Sequence, residues 1–519
     1  MVVNLLLLTL IPICFTATLV FALERLLTTT TKVFWRRSIA ANSLHGGICL
    51  LVFTFELAVF QRPYFAGIIV SAFFFFLVIV NNAKFNSLRE PFIFQDFDYF
   101  LDAIKHPRLY LPFLGLWNTL IAIIIVVVSL YAGLRLEQPI THQLLASQFI
   151  GILTLQVLVG AFLLSWGSKH KLSVTLNPKI DIFNLGLVTS LWRYYQEERV
   201  IDVVRSIRQN SYLSSPNKGL INPLSILPNL LVVQSESFFD ARQLFDGIKL
   251  DVLQQFDEIK TRSSLSGKLS VPAWGANTVR TEFAFLSGLN MDALGIHRFN
   301  PYRKLVREEF PTIASYLKNL GYRTICVHPY PASFYQRDRT YPFLGFDEFL
   351  DIRSFKQMDQ KSKTMPYTSD AEVAQKVCEL LGSESSQPLF IFVITMENHG
   401  PLHLEKVFLN EEVARYNKVP PPNSGDLTIY LRHLSNADQM VKTFKEYLNS
   451  LDRPSWLCWY GDHVPIMPDV YSNFGEPDGR TDYFIYGSEN THIQQADLSA
   501  DKLGITLLQR MGLFPRDRC

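Results

Sequence analysis

The stretch WYGDHVP at residues 459–465 follows a run of apolar residues that begins at Trp456 and stops at Gly461. A carboxylate and an imidazole, Asp462 and His463, stand side by side where this run ends. A short apolar run that ends in glycine is typical of a buried strand. The Asp–His pair at its end predicts either a loop cap or two metal ligands. The residues at the ends of further predicted strands bear on the choice between these interpretations.

Similar apolar runs recur after Pro228, and each is followed by polar residues. Five strands are predicted in this way, at LLVVQSES (230–237), YRTICVHP (322–329), LFIFVITMENH (389–399), WLCWYGDH (456–463) and YFIYG (483–487). Stretches with helical character lie between them, at 311–320, 370–382 and 430–450. Strands that alternate with helices predict an α/β domain with a mostly parallel central sheet, covered by helices on both faces.

Four of the predicted strands end in acids or imidazoles. These side chains belong to Glu236, His328, His399 and the pair Asp462–His463. Functional groups gather beyond the carboxyl ends of parallel strands, so we expect these side chains to share one edge of the sheet. Carboxylates with an imidazole suit a divalent cation such as manganese, magnesium or zinc. The sequence therefore predicts a metal site with Glu236, Asp462 and His463 as ligands.

The segment VPAWGANTVRTEFAFLSGL at 271–289 supplies a candidate nucleophile. Gly275–Asn277 predicts a turn, after which Thr278 opens an amphipathic helix. A helix N-terminus favours an anion such as phosphate, and a bound metal would lower the pKa of the Thr278 hydroxyl. Thr278 is thus predicted to be a nucleophile and a fourth metal ligand. The alternative interpretation is a simple N-cap threonine.

A second cluster lies in HPYPASFYQRD at 328–338. The planar fork of Arg337 matches phosphate oxygens, which predicts a contact with a phosphoryl group. His328 and Tyr335 are predicted to bind the same substrate. In the alternative interpretation, Arg337 pairs at the surface with Asp338 or Asp347, and Tyr335 belongs to the core.

The first third of the chain is markedly apolar, although hydrophobic residues make up 48% of the whole and mean hydropathy is +0.13. A spanning helix needs about 20 apolar residues. Five stretches meet this length, at 2–23, 39–60, 63–81, 112–133 and 143–166. They predict an N-terminal five-helix transmembrane bundle; the alternative is a buried globular bundle. The first stretch lacks a basic start and a small-residue cleavage site, so we expect it to be retained.

The predicted organisation is a transmembrane domain at 1–167, a helical linker at 168–227 and a catalytic domain at 228–519. The formal net charge of +2, without a basic patch, gives no support for a nucleic-acid partner. The six cysteines form no CxxC pair, which argues against a zinc cluster and a disulfide framework.

The segment from 228 to 515 resembles the lipoteichoic acid synthase branch of the alkaline phosphatase/sulfatase superfamily. The family often has tryptophan at the position of Tyr335, so the fit around a head group is expected to differ. The motifs that carry the resemblance occur in the family's order: SES with Glu236, NTVRTEF with Thr278, HPYPASFYQR with His328, Tyr335 and Arg337, ENHGP with His399, and YGDHVP with Asp462 and His463.

The resemblance implies a metal-dependent phosphoglycerol transferase of the bacterial cytoplasmic (inner) membrane, with manganese as the expected cation and magnesium or zinc as alternatives. Thr278 would attack phosphatidylglycerol, release diacylglycerol and form a covalent phosphothreonine intermediate, with His399 or His328 as proton donor. A hydroxyl of a glycan or envelope polymer would then accept the glycerol phosphate. The family also implies that the multi-pass protein carries its catalytic domain outside the cytoplasm.

The loop charges predict the opposite orientation. Basic residues concentrate in the loops 24–38 and 82–111, whereas the loops at 61–62 and 134–142 hold only Arg62 and Arg135. With five spans, the positive-inside rule then places the C-terminal domain in the cytoplasm. The charge count and the family resemblance are in conflict on this point.

Three other functions fit parts of the pattern. A phosphoethanolamine transferase shares the topology and the threonine, but the spacing from His328 to Tyr335 and Arg337 favours the glycerol branch. A sulfatase-like phosphodiesterase is disfavoured because a sulfatase needs cysteine or serine where this chain has Thr278. A non-catalytic sensor of lipid head groups is disfavoured because Thr278, Asp462 and His463 are all present.

Overall fold

The computed structural model describes residues 2–105, 107, 115–170, 172–199, 213, 226–355, 366–383, 386–487 and 493–515. The chain divides into two compact units, Met1–Val200 and Ile201–Cys519. Two helices of the predicted linker, Pro178–Leu185 and Leu187–Glu198, belong to the first unit. Within that predicted linker, residues 171, 200–212 and 214–225 lie outside the described residues.

The N-terminal unit is helical in its described part. Five of its helices are long and apolar enough to cross a membrane, which confirms the prediction of five long apolar helices in this part of the chain. The first three residues of the predicted fourth span, 112–114, lie outside the described residues. The α-helices of this unit are Val2–Leu23, Ile39–Phe60, Pro63–Leu88, Phe100–Lys105, Leu116–Leu136, Ala146–Lys169, Pro178–Leu185 and Leu187–Glu198.

Small residues let two of these long helices approach closely. A Cβ atom on Gly47 would lie 2.9 Å from the backbone nitrogen of Leu164 and 3.0 Å from the carbonyl oxygen of Gly160. Glycine therefore fits where the helices Ile39–Phe60 and Ala146–Lys169 touch, as is common in packed transmembrane helices.

The C-terminal unit contains an eight-stranded sheet with the order β4-β3-β5-β1-β6-β7-β2-β8. Only β7 runs against its neighbours β6 and β2, so the sheet is mostly parallel, as predicted. The strands are β1 Asn229–Ser235, β2 Leu265–Ser270, β3 Arg323–Val327, β4 Glu348–Leu350, β5 Leu389–Ile394, β6 Ser455–Gly461, β7 Thr481–Gly487 and β8 Leu498–Ser499.

Helices cover both faces of this sheet and enclose a separate apolar core on each. Alternate residues of a strand face opposite sides, so Leu230 and Val232 of β1 enter one core while Leu231 and Val233 enter the other. The α-helices of this unit are Gln254–Lys260, Thr278–Ser287, Pro301–Leu305, Ile313–Asn319, Arg337–Thr340, Asp370–Leu381, Glu411–Arg415, Gly425–Asn449, Pro468–Phe474 and Ala500–Arg510.

The central strands bring the predicted site residues to one edge. Strands β3, β5, β1 and β6 are adjacent and parallel, so their carboxyl ends lie side by side. Glu236 follows β1 directly, His328 follows β3, and Asp462 follows β6. His399 lies in the loop after β5.

Candidate metal centre and nucleophile

Three side chains converge at the ends of β1 and β6. Glu236, Asp462 and His463 are buried, and one ligand atom from each lies within 4.8 Å of the others. Nε2 of His463 lies 3.5 Å from Oε1 of Glu236 and 3.4 Å from Oδ2 of Asp462. The structure therefore brings together the three predicted metal ligands.

The tautomer of His463 follows from its backbone contact. Its Nδ1 lies 3.1 Å from the carbonyl oxygen of Val464, which can only accept a hydrogen bond, so Nδ1 carries the proton. The Nε2 lone pair then points toward two carboxylates. Within the described part of the chain, Nε2 of His463 and Oδ2 of Asp462 are buried without a hydrogen-bond partner.

The other carboxylate oxygens are held in place by Ser237 and the backbone. Oδ1 of Asp462 accepts hydrogen bonds from the backbone nitrogens of Ser237 (2.8 Å) and His463 (2.9 Å). The Ser237 hydroxyl donates to Oε1 of Glu236 at 2.9 Å. Burial and the charge of Asp462 raise the pKa of Glu236 to about 8, against smaller opposing effects of His463, Ser237 and Arg337.

This arrangement fits a divalent cation. Buried acceptor atoms without donors are costly, and a cation supplies the missing positive charge. Two carboxylates and one neutral imidazole suit magnesium, manganese or zinc, and they do not distinguish among these ions.

The helix Thr278–Ser287 begins at the predicted nucleophile and is fixed to this centre. Asn277 is the N-cap residue, with φ of 66° and no capping side-chain hydrogen bond, so the interpretation of Thr278 as an N-cap threonine is wrong. Thr281, one turn after Thr278, donates its hydroxyl to the carbonyl oxygen of Asp462 at 2.7 Å. Thr278 is buried, with 7% of its surface exposed.

Arg337 is buried and bound inside the domain. Its Nε and Nη2 atoms donate to the carboxylate of Glu282, at 3.2 and 2.6 Å, and Nη1 donates to Nε2 of His328 at 3.1 Å. The alternative surface pairing of Arg337 with Asp338 or Asp347 is therefore wrong. Burial opposes the charge on Arg337, but Glu282 outweighs it, and the pKa of the guanidinium is raised.

His328 has both ring nitrogens engaged. Nδ1 donates to the carbonyl oxygen of Ile394 at 3.1 Å, and Nε2 accepts from Arg337. Burial, together with the positive charge of Arg337, lowers the pKa of His328 far below its usual range. No ring nitrogen is left for a ligand or a proton transfer, which argues against the predicted roles of His328 as a substrate contact and proton donor.

Tyr335 and His399 lie beside these groups. The Arg337 guanidinium lies 5.2 Å from the centre of the Tyr335 ring, and Tyr335 adopts a positive φ of 55°. Nδ1 of His399 donates to the carbonyl oxygen of Gly400 at 2.7 Å, which leaves its Nε2 as an acceptor. Burial lowers the pKa of His399, while the Gly400 carbonyl and the Asp462 charge oppose that shift.

Sequence analysis assigned no role in binding or catalysis to three residues that organise the site. Ser237 and Thr281 contact Glu236 and Asp462 of the candidate metal centre, and Glu282 accepts hydrogen bonds from Arg337, Tyr302 and Tyr341. Their partners are distant in sequence, so spacing gave no signal. The acid at 282, directly before the apolar run 283–286, was the one available signal, because buried carboxylates need partners.

This chain is similar in sequence to known bacterial proteins. Capsular polysaccharide biosynthesis protein RkpI of Rhizobium meliloti (strain 1021) is 30% identical over 464 residues, which cover 84% of this chain and 80% of that protein. Lipoteichoic acid synthase 1 of Bacillus subtilis (strain 168) is 28% identical over 185 residues, 34% of this chain. The chain spans only 25% of the length of that synthase.

Among solved structures, Streptococcus pyogenes phosphoglycerol transferase GacH in complex with sn-glycerol-1-phosphate aligns over 62% of this chain and 81% of its own, with a TM-score of 0.45 and 21% identity. Lipoteichoic acid synthase LtaP from Listeria monocytogenes aligns over 61% and 79%, with a TM-score of 0.46 and 20% identity. The sulfatase family model matches residues 228–513, and the chain belongs to that family.

Proposed function

We propose that this chain is a membrane-bound phosphoglycerol transferase that moves glycerol phosphate from phosphatidylglycerol to a hydroxyl of an envelope polymer or glycan. The observation that carries the proposal is the junction of two elements at one edge of the sheet. The three ligand atoms of Glu236, Asp462 and His463 converge there, and the hydrogen bond from Thr281 to Asp462 fixes the start of the Thr278 helix against them.

A divalent cation bound by Glu236, Asp462 and His463 would lower the pKa of the Thr278 hydroxyl and offset charge on the phosphoryl oxygens. In the first step, the Thr278 oxygen forms a bond to phosphorus as the bond from phosphorus to the diacylglycerol oxygen breaks. The product is a glycerol phosphate ester on Thr278. In the second step, an acceptor hydroxyl displaces Thr278 and takes the glycerol phosphate.

His399 is the proposed proton carrier. Its Nδ1 is fixed by the Gly400 carbonyl, so Nε2 is the atom that exchanges protons. As an imidazolium, His399 would protonate the departing diacylglycerol oxygen, and the resulting neutral ring would take the proton of the acceptor hydroxyl. Burial lowers the pKa of His399, and the Gly400 carbonyl and the Asp462 charge oppose this shift only in part.

Arg337 is the proposed phosphate contact. Glu282 and His328 occupy three of its five N–H groups, and one N–H on each terminal nitrogen remains for phosphoryl oxygens. Tyr335, against which the guanidinium lies, is the proposed contact for the glycerol.

The membrane setting fits a phospholipid donor. Five apolar helices precede the domain, and a helical anchor keeps the catalytic domain beside its lipid substrate. We place the protein in the bacterial cytoplasmic (inner) membrane with the catalytic domain outside the cytoplasm, against the charge count of the loops. Protease treatment of intact cells tests this orientation, because an external domain is cleaved without lysis.

The experiment that tests the function uses the full chain in lipid nanodiscs with Mn²⁺ and either phosphatidylglycerol or phosphatidylethanolamine, labelled in the head group. Mass spectrometry is expected to find glycerol phosphate on Thr278, and Thr278→Ala should form no adduct and release no diacylglycerol. An adduct from the ethanolamine lipid alone would identify a phosphoethanolamine transferase. Equal turnover by wild type and Thr278→Ala would exclude the proposed mechanism.

A further inference from the structure

The carboxylate of Glu282 collects four hydrogen bonds in the interior of the catalytic domain. Glu282 is 0% exposed, and its Oε1 accepts from the hydroxyls of Tyr302 and Tyr341 and from Nε of Arg337. Its Oε2 accepts from Nη2 of Arg337 at 2.6 Å. A buried ion pair is tolerated when further hydrogen bonds offset its loss of hydration, and the two tyrosine hydroxyls and the guanidinium supply four such bonds here.

Glu282 links two parts of the proposed site. It lies four residues after Thr278 on the helix Thr278–Ser287, so it moves with the helix that begins at the nucleophile. Its partner Arg337 comes from the segment after β3, 55 residues further along the chain. The two contacts from Nε and Nη2 fix the plane of the guanidinium as well as its position.

The network continues from Arg337 to His328. Nη1 of Arg337 donates to Nε2 of His328, whose Nδ1 donates to the carbonyl oxygen of Ile394, the last residue of β5. The arginine is therefore held from two sides, by the nucleophile helix and by the edge of the sheet. With the plane of the guanidinium fixed, the positions of its remaining N–H groups are fixed as well.

We propose that Glu282 is a positioning residue that ties the phosphate-binding Arg337 to the helix bearing Thr278, and that His328 completes this network as a neutral acceptor that transfers no proton. The proposal rests on the proposed function, because it takes the phosphoryl group as the ligand of Arg337. Glu282 thereby fixes the distance between the nucleophile Thr278 and the phosphate-binding Arg337.

The first test is a pair of matched variants of the full chain. Glu282→Gln is expected to lower kcat/KM for phosphatidylglycerol by about 10–100-fold, the usual cost of losing a group that orients an active-site residue. Glu405→Gln is the control, because Glu405 accepts a hydrogen bond from Arg432 at 2.8 Å and both are buried in the same domain. We expect the control to lower the Tm while kcat/KM stays unchanged.

A double-mutant cycle separates positioning from stability. In an Arg337→Met background, Glu282→Gln should cause no further loss of kcat/KM, since its route of action is already removed. The double variant carries neither buried charge, so its Tm should exceed that of either single variant. It also serves as the folded test protein if Glu282→Gln alone does not fold.

The pH profile of kcat/KM tests the role of His328. His328→Gln is expected to lower the whole profile without moving its apparent pKa values, whereas loss of one limb would show that His328 transfers a proton. The proposal about Glu282 is overturned if the losses from Glu282→Gln and Arg337→Met multiply, or if Glu282→Gln keeps wild-type kcat/KM. The proposed function fails separately, if the wild type forms no adduct on Thr278.

Discussion

Two buried clusters beside the Thr278 helix contain similar side chains but differ in whether their lone pairs have hydrogen-bond donors. In the ligand cluster of Glu236, Asp462 and His463, lone pairs face one another, and among the described residues Nε2 of His463 and Oδ2 of Asp462 have no donor. In the network of Glu282, Arg337 and His328, the lone pairs of Glu282 and His328 are met by hydroxyl and guanidinium donors.

This difference distinguishes residues that bind a ligand from residues that position them. An incomplete set of buried hydrogen bonds marks the place where a group from outside the chain is expected, because leaving such atoms unpaired costs free energy. A complete set holds its members in one geometry and leaves nothing to bind at Glu282 or His328. Residue type alone does not make this distinction, since both clusters contain a glutamate and a histidine.

The largest effect is expected from breaking the ligand cluster. Asp462→Asn keeps the size of the side chain and removes its charge. The rate of glycerol phosphate transfer should then fall by about 1000-fold, which corresponds to the several kcal/mol that a catalytic cation contributes. Calorimetric titration with Mn²⁺ should show no binding to this variant. Asp438→Asn is the control, because Asp438 is a buried carboxylate that caps the backbone nitrogens of Gln255 and Phe256.

If Asp438→Asn retains Mn²⁺ binding and Asp462→Asn loses it, the unpaired lone pairs are the cation site. If Asp462→Asn instead binds Mn²⁺ with the same heat as the wild type, the cation does not depend on this carboxylate. The contrast between the two clusters would then be lost. A cation that binds only the folded state at 100 times its Kd also raises the stability of the wild type by about 2.7 kcal/mol. A chelator should reverse that gain.

An intermediate effect is expected from Arg337→Lys. A lysine keeps the positive charge, but its single ammonium group cannot reproduce the planar contacts with Glu282 and His328. We expect transfer to fall by about 10–100-fold while Mn²⁺ binding persists. Transfer at the wild-type rate would mean that charge alone, without the fixed fork, is sufficient. The measurement is kcat/KM for labelled phosphatidylglycerol beside the calorimetric titration.

Much of the fold followed from the sequence, because long periodic elements carry a strong signal. All five predicted strands exist, and they include β1, β3, β5 and β6, which bring the site together. The strands that were not predicted are β2, β4 and β8. These are LSGKLS at Leu265–Ser270, EFL at Glu348–Leu350 and LS at Leu498–Ser499, which are short or polar and lie toward the edges of the sheet.

The candidate site was predictable where strand ends reveal it. Glu236 and Asp462 follow apolar strands directly, so their meeting with His463 followed from parallel topology. The state of His328 was not predictable, although it also follows a strand. Its Nε2 is occupied by an arginine nine residues away, on a segment whose positive-φ residues Tyr335 and Gln336 set the local turn. Spacing indicates which residues are near, but not which lone pairs are already used.

A smaller effect should come from a carboxylate that is buried without a role in either cluster. Oδ1 of Asp370 has no hydrogen-bond partner within the described part of the chain, and burial and the nearby Glu397 raise the pKa of Asp370 well above its usual range. The folded state then holds a proton that the unfolded state has lost, so this carboxyl lowers stability as pH rises through that window. Asp370→Asn should raise the free energy of unfolding by about 1–2 kcal/mol near pH 8.

The same substitution should change the free energy of unfolding much less near pH 4, where Asp370 is protonated in the fold and about half protonated in the unfolded chain. Thermal unfolding at the two pH values makes the comparison, with Asp438→Asn as a second buried carboxylate that, unlike Asp370, has two backbone donors. A gain that is equal at both pH values would assign the effect to shape and not to charge. If Asp370→Asn lowers the free energy of unfolding at high pH, the Asp370 carboxylate has a stabilising partner in solution.

The smallest effect is expected at the surface. Lys418 and Asp246 form an ion pair at 2.5 Å, with side chains 60% and 77% exposed. Solvent screens such a pair, so Asp246→Asn should change the free energy of unfolding by less than about 0.5 kcal/mol and leave kcat/KM and Mn²⁺ binding unchanged. Thermal unfolding at low and high salt checks this, with Lys418→Met as the reciprocal variant. If Asp246→Asn lowered kcat/KM as much as Glu282→Gln does, the importance of the interior clusters would come from the number of their contacts and not from their burial away from water.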